Sequence, residues 1–143
     1  MKKIEPYVAK INQFFNSYQS LSNDELRNKT QEFRQRIKEH LKEIDTVIAE
    51  KNAAADALPF NDLLGKDAIY HEVDKLKKER DKKIEEALEA ILPEAFAVVK
   101  ETARRFKENT EIIATATQLD RDLSVKRDYV TIDGEKSVFK NTW

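Results

Sequence analysis

The sequence predicts a mainly α-helical protein: an antiparallel helical bundle with a long helical hairpin and a small C-terminal β-hairpin. Charged residues make up 37 % of the 143 positions, and the chain contains only 2 glycines and 3 prolines. So few chain-breaking residues among so many Glu, Lys, Ala and Arg favour long helices. Apolar residues recur every three or four positions over most of the chain, and strand-type runs occur only near its end. A chain of this length is expected to form one domain with a real core.

The first helix is predicted over about Glu5 to Ser17. Pro6 is compatible with this start, since proline is tolerated in the first turn of a helix. Its apolar stripe consists of Ile4, Val8, Ile11, Phe15 and Tyr18, broadened by Tyr7 and Phe14. Together with Met1, Lys2 and Lys3, this stripe could lie on an anionic membrane surface. An apolar stripe is the usual signature of a core-facing helix, so packing against the rest of the protein is favoured.

The second helix has the clearest start signal in the sequence. Ser22 and Glu25 have the spacing of a capping box, and Leu21 and Leu26 occupy the positions of a hydrophobic staple. The apolar stripe that follows consists of Leu26, Thr30, Phe33, Ile37, Leu41, Ile44 and Ile48. This regular spacing over about seven turns predicts one long helix with a single buried face.

A break is predicted at about Leu58 to Lys66, where Pro59 disfavours helix at Leu58 and Gly65 is a plausible helix stop. A third helix should then run from about Asp67 to Ile91. Its inward side chains are predicted to be Ile69, Val73, Leu76, Ile84, Leu88 and Ile91. The second and third helices can therefore form an antiparallel hairpin. The side chains expected to be buried together in it are Ile37, Leu41, Ile44, Val73, Leu76 and Ile84.

The last part of the chain is predicted to be mixed. Pro93 suits the first turn of a helix reaching about Lys107, and a shorter helical piece is expected from Thr110 to about Gln118. The first of these helices is expected to bury Phe96, Val99, Ala103 and Phe106. Two β-prone runs, 129–132 and 136–139, flank Asp133-Gly134 and predict a β-hairpin. A lone hairpin is marginally stable, so it must pack on the helices or on further sequence.

Composition excludes several functional classes. The 26 basic and 27 acidic residues leave a net charge of -1, so the basic footprint of a nucleic-acid binder is missing. With Cys 0, disulfides, thiolate metal sites and cysteine nucleophiles are excluded. The N-terminus mixes polar residues into its apolar ones and lacks a signal-peptide core, and no run is long enough to span a bilayer. A cytoplasmic protein is expected.

No catalytic, cofactor-binding or metal-ligating residue is predicted. A phosphate-binding loop needs glycines and a following Lys-Ser/Thr, but Gly65-Lys66 is followed by Asp67. His71 with Glu72 and Asp74 could hold a metal loosely, although a surface histidine beside helical carboxylates is the favoured interpretation. A di-iron helical bundle places Glu three residues before a ligand His, but the positions three before His40 and His71 hold Ile37 and Ala68.

Two stretches nevertheless resemble a known family. Residues 21–37 read LSNDELRNKTQEFRQRI, and residues 92–105 read LPEAFAVVKETARR. In this order, they are similar to the opening of the SecA family, the motor ATPases of the bacterial preprotein translocase. The matching core of the first motif is Glu25-Leu26-Arg27 followed by Lys29 to Arg34, and the second motif leads into the family's nucleotide-binding domain.

The resemblance also has gaps. Most of the family joins the two motifs by a short connection, whereas here residues 39–91 lie between them, and 107–143 follow without the adenine-contacting motif or the P-loop. We therefore expect residues 1–143 to be a single N-terminal helical region of a larger protein. Within it, about 39–91 would be an inserted helical hairpin, and about 124–143 a β-hairpin leading toward the nucleotide-binding domain.

The resemblance implies a function for the larger protein and a scaffold role for this chain. The parent would couple Mg-ATP hydrolysis to preprotein translocation, acting in the cytoplasm and peripherally on the inner membrane. Its implied partners are the rest of the SecA chain, the SecYEG channel, preproteins and anionic lipid. This chain itself would be non-catalytic and would hold no cofactor.

Two other functional classes remain open at this stage. The chain could be a standalone helical interaction module, a coiled-coil-like adaptor that shares the motifs by accident, or a small helical enzyme, although no catalytic constellation is identifiable. Exposed apolar surface would also favour a homo-oligomer. Its candidate residues are Phe96, Val99, Phe106, Val130, Ile132, Val138, Phe139 and the outer side of the first helix.

Overall fold

A computed structural model describes residues 4–142 and confirms the mainly α-helical class. The helices and strands in chain order are α1 (Glu5–Tyr18), α2 (Asn23–Ala57), α3 (Leu63–Glu108), β1 (Glu111–Thr115), α4 (Gln118–Ser124), β2 (Val130–Asp133) and β3 (Lys136–Lys140). The chain divides into two compact units, residues 1–30 with 92–143 (unit 1) and residues 31–91 (unit 2). The membrane interpretation of Met1, Lys2 and Lys3 falls outside the described residues.

Unit 2 is the predicted antiparallel helical hairpin. Polar side-chain pairs join its two helices at successive levels, and the residue numbers of the partners increase along α2 while they decrease along α3. These pairs are His40 with Glu86, Asp45 with Arg80, and Lys51 with Glu72. Between the helices, Leu41, Ile44 and Val73 are buried as predicted, whereas Ile37, Leu76 and Ile84 are half-buried. Leu88 is exposed and the smaller Ala87 is buried in the hairpin instead.

The hairpin turns at residues 58–62, inside the predicted break, but Gly65 does not end a helix. Gly65 lies in the first turn of α3, where its N–H donates to Asp62 Oδ1 at 3.0 Å. A Cβ on Gly65 would lie 2.4 Å from Asp62 Oδ2. The glycine is therefore needed for the close approach of the carboxylate that caps α3, not for a helix stop.

The predicted boundary at Pro93 is wrong, because α3 is one helix of 46 residues with Pro93 inside it. Proline in a helix interior removes one hydrogen bond and costs about 3 kcal/mol. Here Pro93 is itself buried, and side chains are buried both before it (Ile91) and after it (Ala97 and Glu101). Burial on both sides offsets the local cost and keeps the helix continuous.

The core of unit 1 lies between α1, the start of α2 and the second half of α3. Tyr18, Leu26 and Ala97 are buried together, and the half-buried side chains packed on them are Ile11, Phe14, Phe15, Leu21 and Val98. Only the C-terminal half of the predicted α1 stripe is covered, since Ile4 and Val8 are exposed.

The predicted inward face of the helix after Pro93 is also wrong. Phe96, Val99 and Ala103 are exposed and Phe106 is half-buried, whereas Ala97, Glu101 and Arg105 are buried. The buried positions follow one another at intervals of four residues, which places them on one face of the helix. Sequence periodicity favoured the apolar residues, but a small side chain and an internal ion pair occupy the core-facing positions.

The helix predicted from Thr110 to Gln118 does not form, because residues 111–115 make strand β1. Its side chains alternate between exposed and buried, as expected for a strand with one covered face. β1 pairs antiparallel with β3, which pairs with β2, so the predicted β-hairpin is confirmed and becomes a three-stranded sheet of order β1-β3-β2. The third strand of this sheet is therefore β1, which lies in a segment that was predicted to be helical.

The β2–β3 turn consists of Gly134 and Glu135, and Gly134 has φ +57°. A positive φ at the first position of a two-residue loop matches the twist of the adjoining strands and favours glycine. The short helix α4, which was not predicted, begins at a capping box in which the Thr117 hydroxyl accepts from the Asp120 N–H and the Asp120 carboxylate accepts from the Thr117 N–H.

Candidate functional site

The two sequence motifs meet in unit 1, where Arg105 joins α3 to the α1–α2 connection. The Arg105 guanidinium donates from Nη2 to the carbonyl oxygens of Tyr18 and Leu21, at 3.1 and 2.6 Å, and from Nη1 to Asn23 Oδ1 at 2.7 Å. Its Nε donates to Glu101 Oε1 at 2.7 Å. A planar guanidinium suits this task because it presents five donors in a fixed arrangement.

Glu101 is the buried charge that holds Arg105 in place. Its side chain is 0 % exposed and accepts from both Arg104 and Arg105. Hydrogen bonds from Arg104 lower the pKa of Glu101 despite the opposing effect of burial, and Arg105 adds to this. The carboxylate is therefore fully paired in its charged form, as a buried charge requires.

A second ion pair joins α2 to α4. Arg27 donates from its two terminal nitrogens to the two oxygens of Asp120, each at 2.7 Å. Asp120 is 1 % exposed, and hydrogen bonds from Arg27 and then Thr117 hold the pKa of its carboxyl far below the usual range. The same pairing raises the pKa of the Arg27 guanidinium. Two parallel charge-assisted bonds make this a strong and directional contact.

The start of α2 is tied to strand β1 by a further pair of bonds. The Asp24 carboxylate accepts from the Thr115 N–H at 2.7 Å and from its hydroxyl at 2.8 Å, and these bonds lower the pKa of Asp24. The predicted capping box is confirmed beside it, since Glu25 N–H donates to Ser22 Oγ and Ser22 N–H donates to Glu25 Oε2.

We call the set Asn23, Asp24, Arg27, Glu101, Arg105 and Asp120 the motif junction. Its polar side chains form hydrogen bonds with one another, with neighbouring side chains and with backbone groups. Asn23, Arg27 and Arg105 also line a cavity of about 330 Å³. Chemically, the junction positions the sheet and α4 against the helices. It thus acts as a structural joint.

The residues weighed for metal binding are not brought together. In unit 2, the carboxylate of Glu72 is paired with Lys51, and no group of three potential ligands lies close enough to hold a metal among residues 4–142. No helix in this part of the chain is long and apolar enough to cross a membrane.

Beside the motif junction, unit 1 carries an apolar groove of about 550 Å³. It is lined by Val98, Val99, Thr102, Ala103, Phe106, Lys107 and Asn141. The side chains of Leu92, Phe96 and Val99, which we call the exposed α3 face, are 42 to 66 % exposed. Of the hairpin residues expected to be exposed, Val130 is instead buried, whereas Ile132, Val138 and Phe139 are half-buried.

Comparison with known proteins covers both sequence motifs. The family model of the SecA DEAD-like domain matches residues 1–120. The chain belongs to the SecA family. Both SecA motifs lie wholly within this match, and so do Arg27, Asp120 and Arg105.

Curated relatives match the chain over its full length. The protein translocase subunit SecA of Parabacteroides distasonis and that of Christiangramia forsetii are each 43 % identical over 143 residues, which is 100 % of this chain. The corresponding protein of Bacteroides fragilis is 37 % identical over the same span. The chain covers only 12 to 13 % of the length of these SecA proteins. No solved structure matches it.

Sequence reasoning did not identify Asp120, Glu101 and Arg105 as buried members of the motif junction. Asp120 had an available signal, since Thr117 and Asp120 have the Thr-x-x-Asp spacing of a helix start. Glu101 and Arg105 lie within the second SecA motif and are four residues apart, but their burial left no trace in the hydrophobic pattern. Only the packing of α1 against α3 places them inside.

Proposed function

We propose that this chain is the N-terminal helical region of a SecA motor and serves there as a scaffold for the nucleotide-binding domain. The larger protein would couple Mg-ATP hydrolysis to the translocation of preproteins. The observation that carries the proposal is the match to translocase subunits over the whole chain at up to 43 % identity. It is supported by the use of both motifs in one structural joint.

The organisation of the chain supports a division of labour. Unit 1 is assembled from two segments, 1–30 and 92–143, and unit 2 is the continuous segment between them. We propose that residues 39–91 are an inserted hairpin and that residues 124–143 lead toward the nucleotide-binding domain. Since the curated SecA proteins match over all 143 residues, they share a segment aligned with the hairpin.

A chimera tests the scaffold role. The segment of the Parabacteroides distasonis SecA that aligns with this chain is replaced by the present sequence, and ATP-driven uptake of a preprotein into inverted membrane vesicles is measured. We expect uptake to be retained. The control chimera carries Arg105→Ala, which breaks the joint between the motifs and should abolish uptake. A first chimera without uptake, although folded and soluble, would refute the proposal.

The chain itself is proposed to be non-catalytic and to bind no cofactor. A phosphate cradle needs converging backbone amides on a glycine-rich loop, and the sequence holds only Gly65 and Gly134. Of these, Gly65 is committed to the Asp62 cap and Gly134 to a β-turn. Calorimetric titration with Mg-ATP should show no saturable heat. Stoichiometric binding would contradict this proposal while leaving the scaffold role open.

The partners of the parent follow from the same proposal. They are the remainder of the SecA chain, the SecYEG channel, preproteins and anionic lipid, with a cytoplasmic location at the inner face of the bacterial membrane. The apolar groove and the exposed α3 face support the first of these, because contiguous apolar surface marks a docking site. In isolation, the same surface should promote self-association.

A further inference from the structure

Phe106 stands between three neighbouring cavities of unit 1. It lines the apolar groove of about 550 Å³, a second cavity of about 340 Å³ and the cavity of about 330 Å³ beside the motif junction. The second cavity is also lined by Tyr129, Phe139, Lys140, Asn141 and Thr142. Protein interiors are close-packed and hold few voids larger than a water molecule. So much unfilled space around one half-buried aromatic side chain indicates a surface that a further segment completes.

Asn141 places an unpaired acceptor at this surface, where it lines both the apolar groove and the second cavity. Its backbone N–H donates to the Thr110 carbonyl at 2.9 Å, and its Nδ2 donates to the Phe106 carbonyl. Because Nδ2 is held by that carbonyl, the amide cannot turn to relieve its oxygen. Oδ1 is buried and has no hydrogen-bond partner among residues 4–142. A buried acceptor without a donor is costly, so the site favours an occupant that presents an N–H group.

The chain leaves unit 1 at this surface, since the last two described residues, Asn141 and Thr142, line the second cavity. The SecA relatives that match the whole chain extend well beyond the match, which covers 12 to 13 % of their length. Along α3 the apolar groove runs from Val98 to Phe106, a rise of about 12 Å at about 1.5 Å per residue. An extended chain covers this distance with about four residues. The residues that directly follow position 143 are therefore long enough to fill the groove.

We propose that the segment following position 143 in the SecA chain lies extended along the apolar groove. A large apolar side chain of that segment packs beside Phe106, and an N–H group donates to Asn141 Oδ1. The inference rests on the proposed function, in which residues 124–143 lead toward the nucleotide-binding domain. A short covalent connection gives the segment an effective concentration in the millimolar range, which favours it over a second copy of the chain.

The proposal gives the three-stranded sheet a specific task. The sequence resemblance assigns no role to residues 107–143, which contain all three strands. Together with α3 they form the receptor for the chain that leaves them. Asn141 is then a positioning residue, because its single unpaired acceptor fixes which residue of the segment lies beside Phe106.

The test uses the 143-residue chain and a labelled synthetic peptide. The peptide consists of the residues, about 15 in number, that follow the aligned segment in the Parabacteroides distasonis SecA, and it more than spans the groove when extended. Fluorescence anisotropy is measured at a protein concentration at which the chain sediments as a monomer. The peptide should bind saturably with one site per chain, whereas a peptide of the same composition in scrambled order should not.

A matched pair of variants tests the acceptor. The side chain of Asn109 donates to the Arg105 carbonyl at 2.8 Å, as that of Asn141 donates to the Phe106 carbonyl, but Asn109 does not line the groove. Asn109→Ala and Asn141→Ala each remove one bond to α3 and should lower the melting temperature similarly. Only Asn141→Ala also removes the buried acceptor, so it alone should weaken peptide binding, by about five- to tenfold.

A second pair tests the apolar lining. Val99 lines the groove and is 66 % exposed, whereas Val125 is 86 % exposed and does not line it. Val99→Ser should weaken peptide binding several-fold, because the valine loses its apolar contact with the segment. Val125→Ser should bind as the wild type does, and both variants should keep the wild-type melting temperature.

A competition experiment tests the covalent arrangement. The 143-residue chain is extended at its C-terminus by the same Parabacteroides distasonis residues. Its own segment should then occupy the groove, so the extended chain should melt at a higher temperature and no longer bind the free peptide.

Four results would overturn the inference. They are no saturable binding of the peptide, equal binding of the scrambled peptide, equal affinities of Asn141→Ala and Asn109→Ala, and undiminished peptide binding by the extended chain. If the first result came with a loss of self-association in Val99→Ser, a second copy of the chain would be the occupant instead. The scaffold role is decided separately, by preprotein uptake in the chimera, so either proposal can fail while the other stands.

Discussion

Replacement of Asp120 by asparagine tests the ion pair that joins α2 to α4. In the wild type, Oδ2 accepts from Arg27 at 2.7 Å and from the Thr117 N–H at 2.8 Å, while Oδ1 accepts from Arg27 at 2.7 Å. Asparagine keeps the shape but turns one oxygen into an NH₂ group. In either orientation of the amide, its NH₂ group then faces an N–H donor of Arg27 or of Thr117.

The cost can be worked out from these contacts. The better orientation keeps the oxygen toward Thr117 and loses one charge-assisted bond to Arg27, and the remaining bond loses its charge. A hydrogen bond to a charged group contributes about 1.5–3 kcal/mol, and breaking a fully buried pair costs about 3–5 kcal/mol. The Arg27 side chain is 37 % exposed, so water compensates in part. We expect the Asp120→Asn variant to lose about 2–3 kcal/mol of its free energy of unfolding.

The assay is thermal unfolding followed by far-UV circular dichroism, together with amide hydrogen exchange. For a chain of this size about 3 °C of melting temperature corresponds to 1 kcal/mol, so a decrease of about 6–9 °C is expected in the transition of unit 1. Exchange should accelerate first in α4 and β1. Asp122→Asn is the matched control, because Asp122 lies on the same helix and accepts only an exposed bond from Gln118.

The pH dependence supplies an independent test. The depressed pKa of Asp120 means that its charged form is favoured by folding. Its contribution is therefore complete above the unfolded pKa, near 3.8, and is lost as the pH falls toward the folded value. The stability difference between wild type and Asp120→Asn should be constant near neutral pH and shrink in acid below that value. If the variant instead melts within about 1 °C of the control at neutral pH, the ion pair is not a structural joint.

Four further outcomes are expected. Ser22→Ala removes one half of the capping box and should cost about 1 kcal/mol, with faster exchange in the first turn of α2; unchanged exchange would contradict the cap. Gly134→Ala places a side chain at φ +57° and should cost about 1–2 kcal/mol in urea unfolding, whereas Glu135→Ala should be neutral. Arg105→Met leaves the buried Glu101 carboxylate with one cationic partner fewer and should lower the free energy of unfolding in urea by about 3–5 kcal/mol. A decrease of less than about 1 kcal/mol would refute the buried pairing. Self-association through the exposed α3 face should raise the sedimentation coefficient as the protein concentration increases. A coefficient that stays at the monomer value would exclude self-association.

Local rules written in the sequence determined much of this fold. The Ser22–Glu25 box started α2 where predicted, Pro59 lay in the turn between the long helices, and Gly134 directed the β2–β3 turn. Each is a contact within a few residues, so the spacing of residue types was enough to locate it. The antiparallel hairpin followed from apolar periodicity over many turns, which is the most reliable signal in a single sequence.

The tertiary structure decided the continuity of α3, the strand at β1 and the burial of the charged residues. At these positions the local sequence favoured the wrong structure, fitted two structures equally well or gave no indication. Pro93 signalled a helix start, yet burial on both sides of it kept α3 whole. Residues 111–115 had apolar residues compatible with helix or strand, and pairing with β3 made them a strand. The buried positions Glu101, Arg105 and Asp120 are charged, so hydrophobicity could not locate them; only partners distant in sequence make their burial favourable.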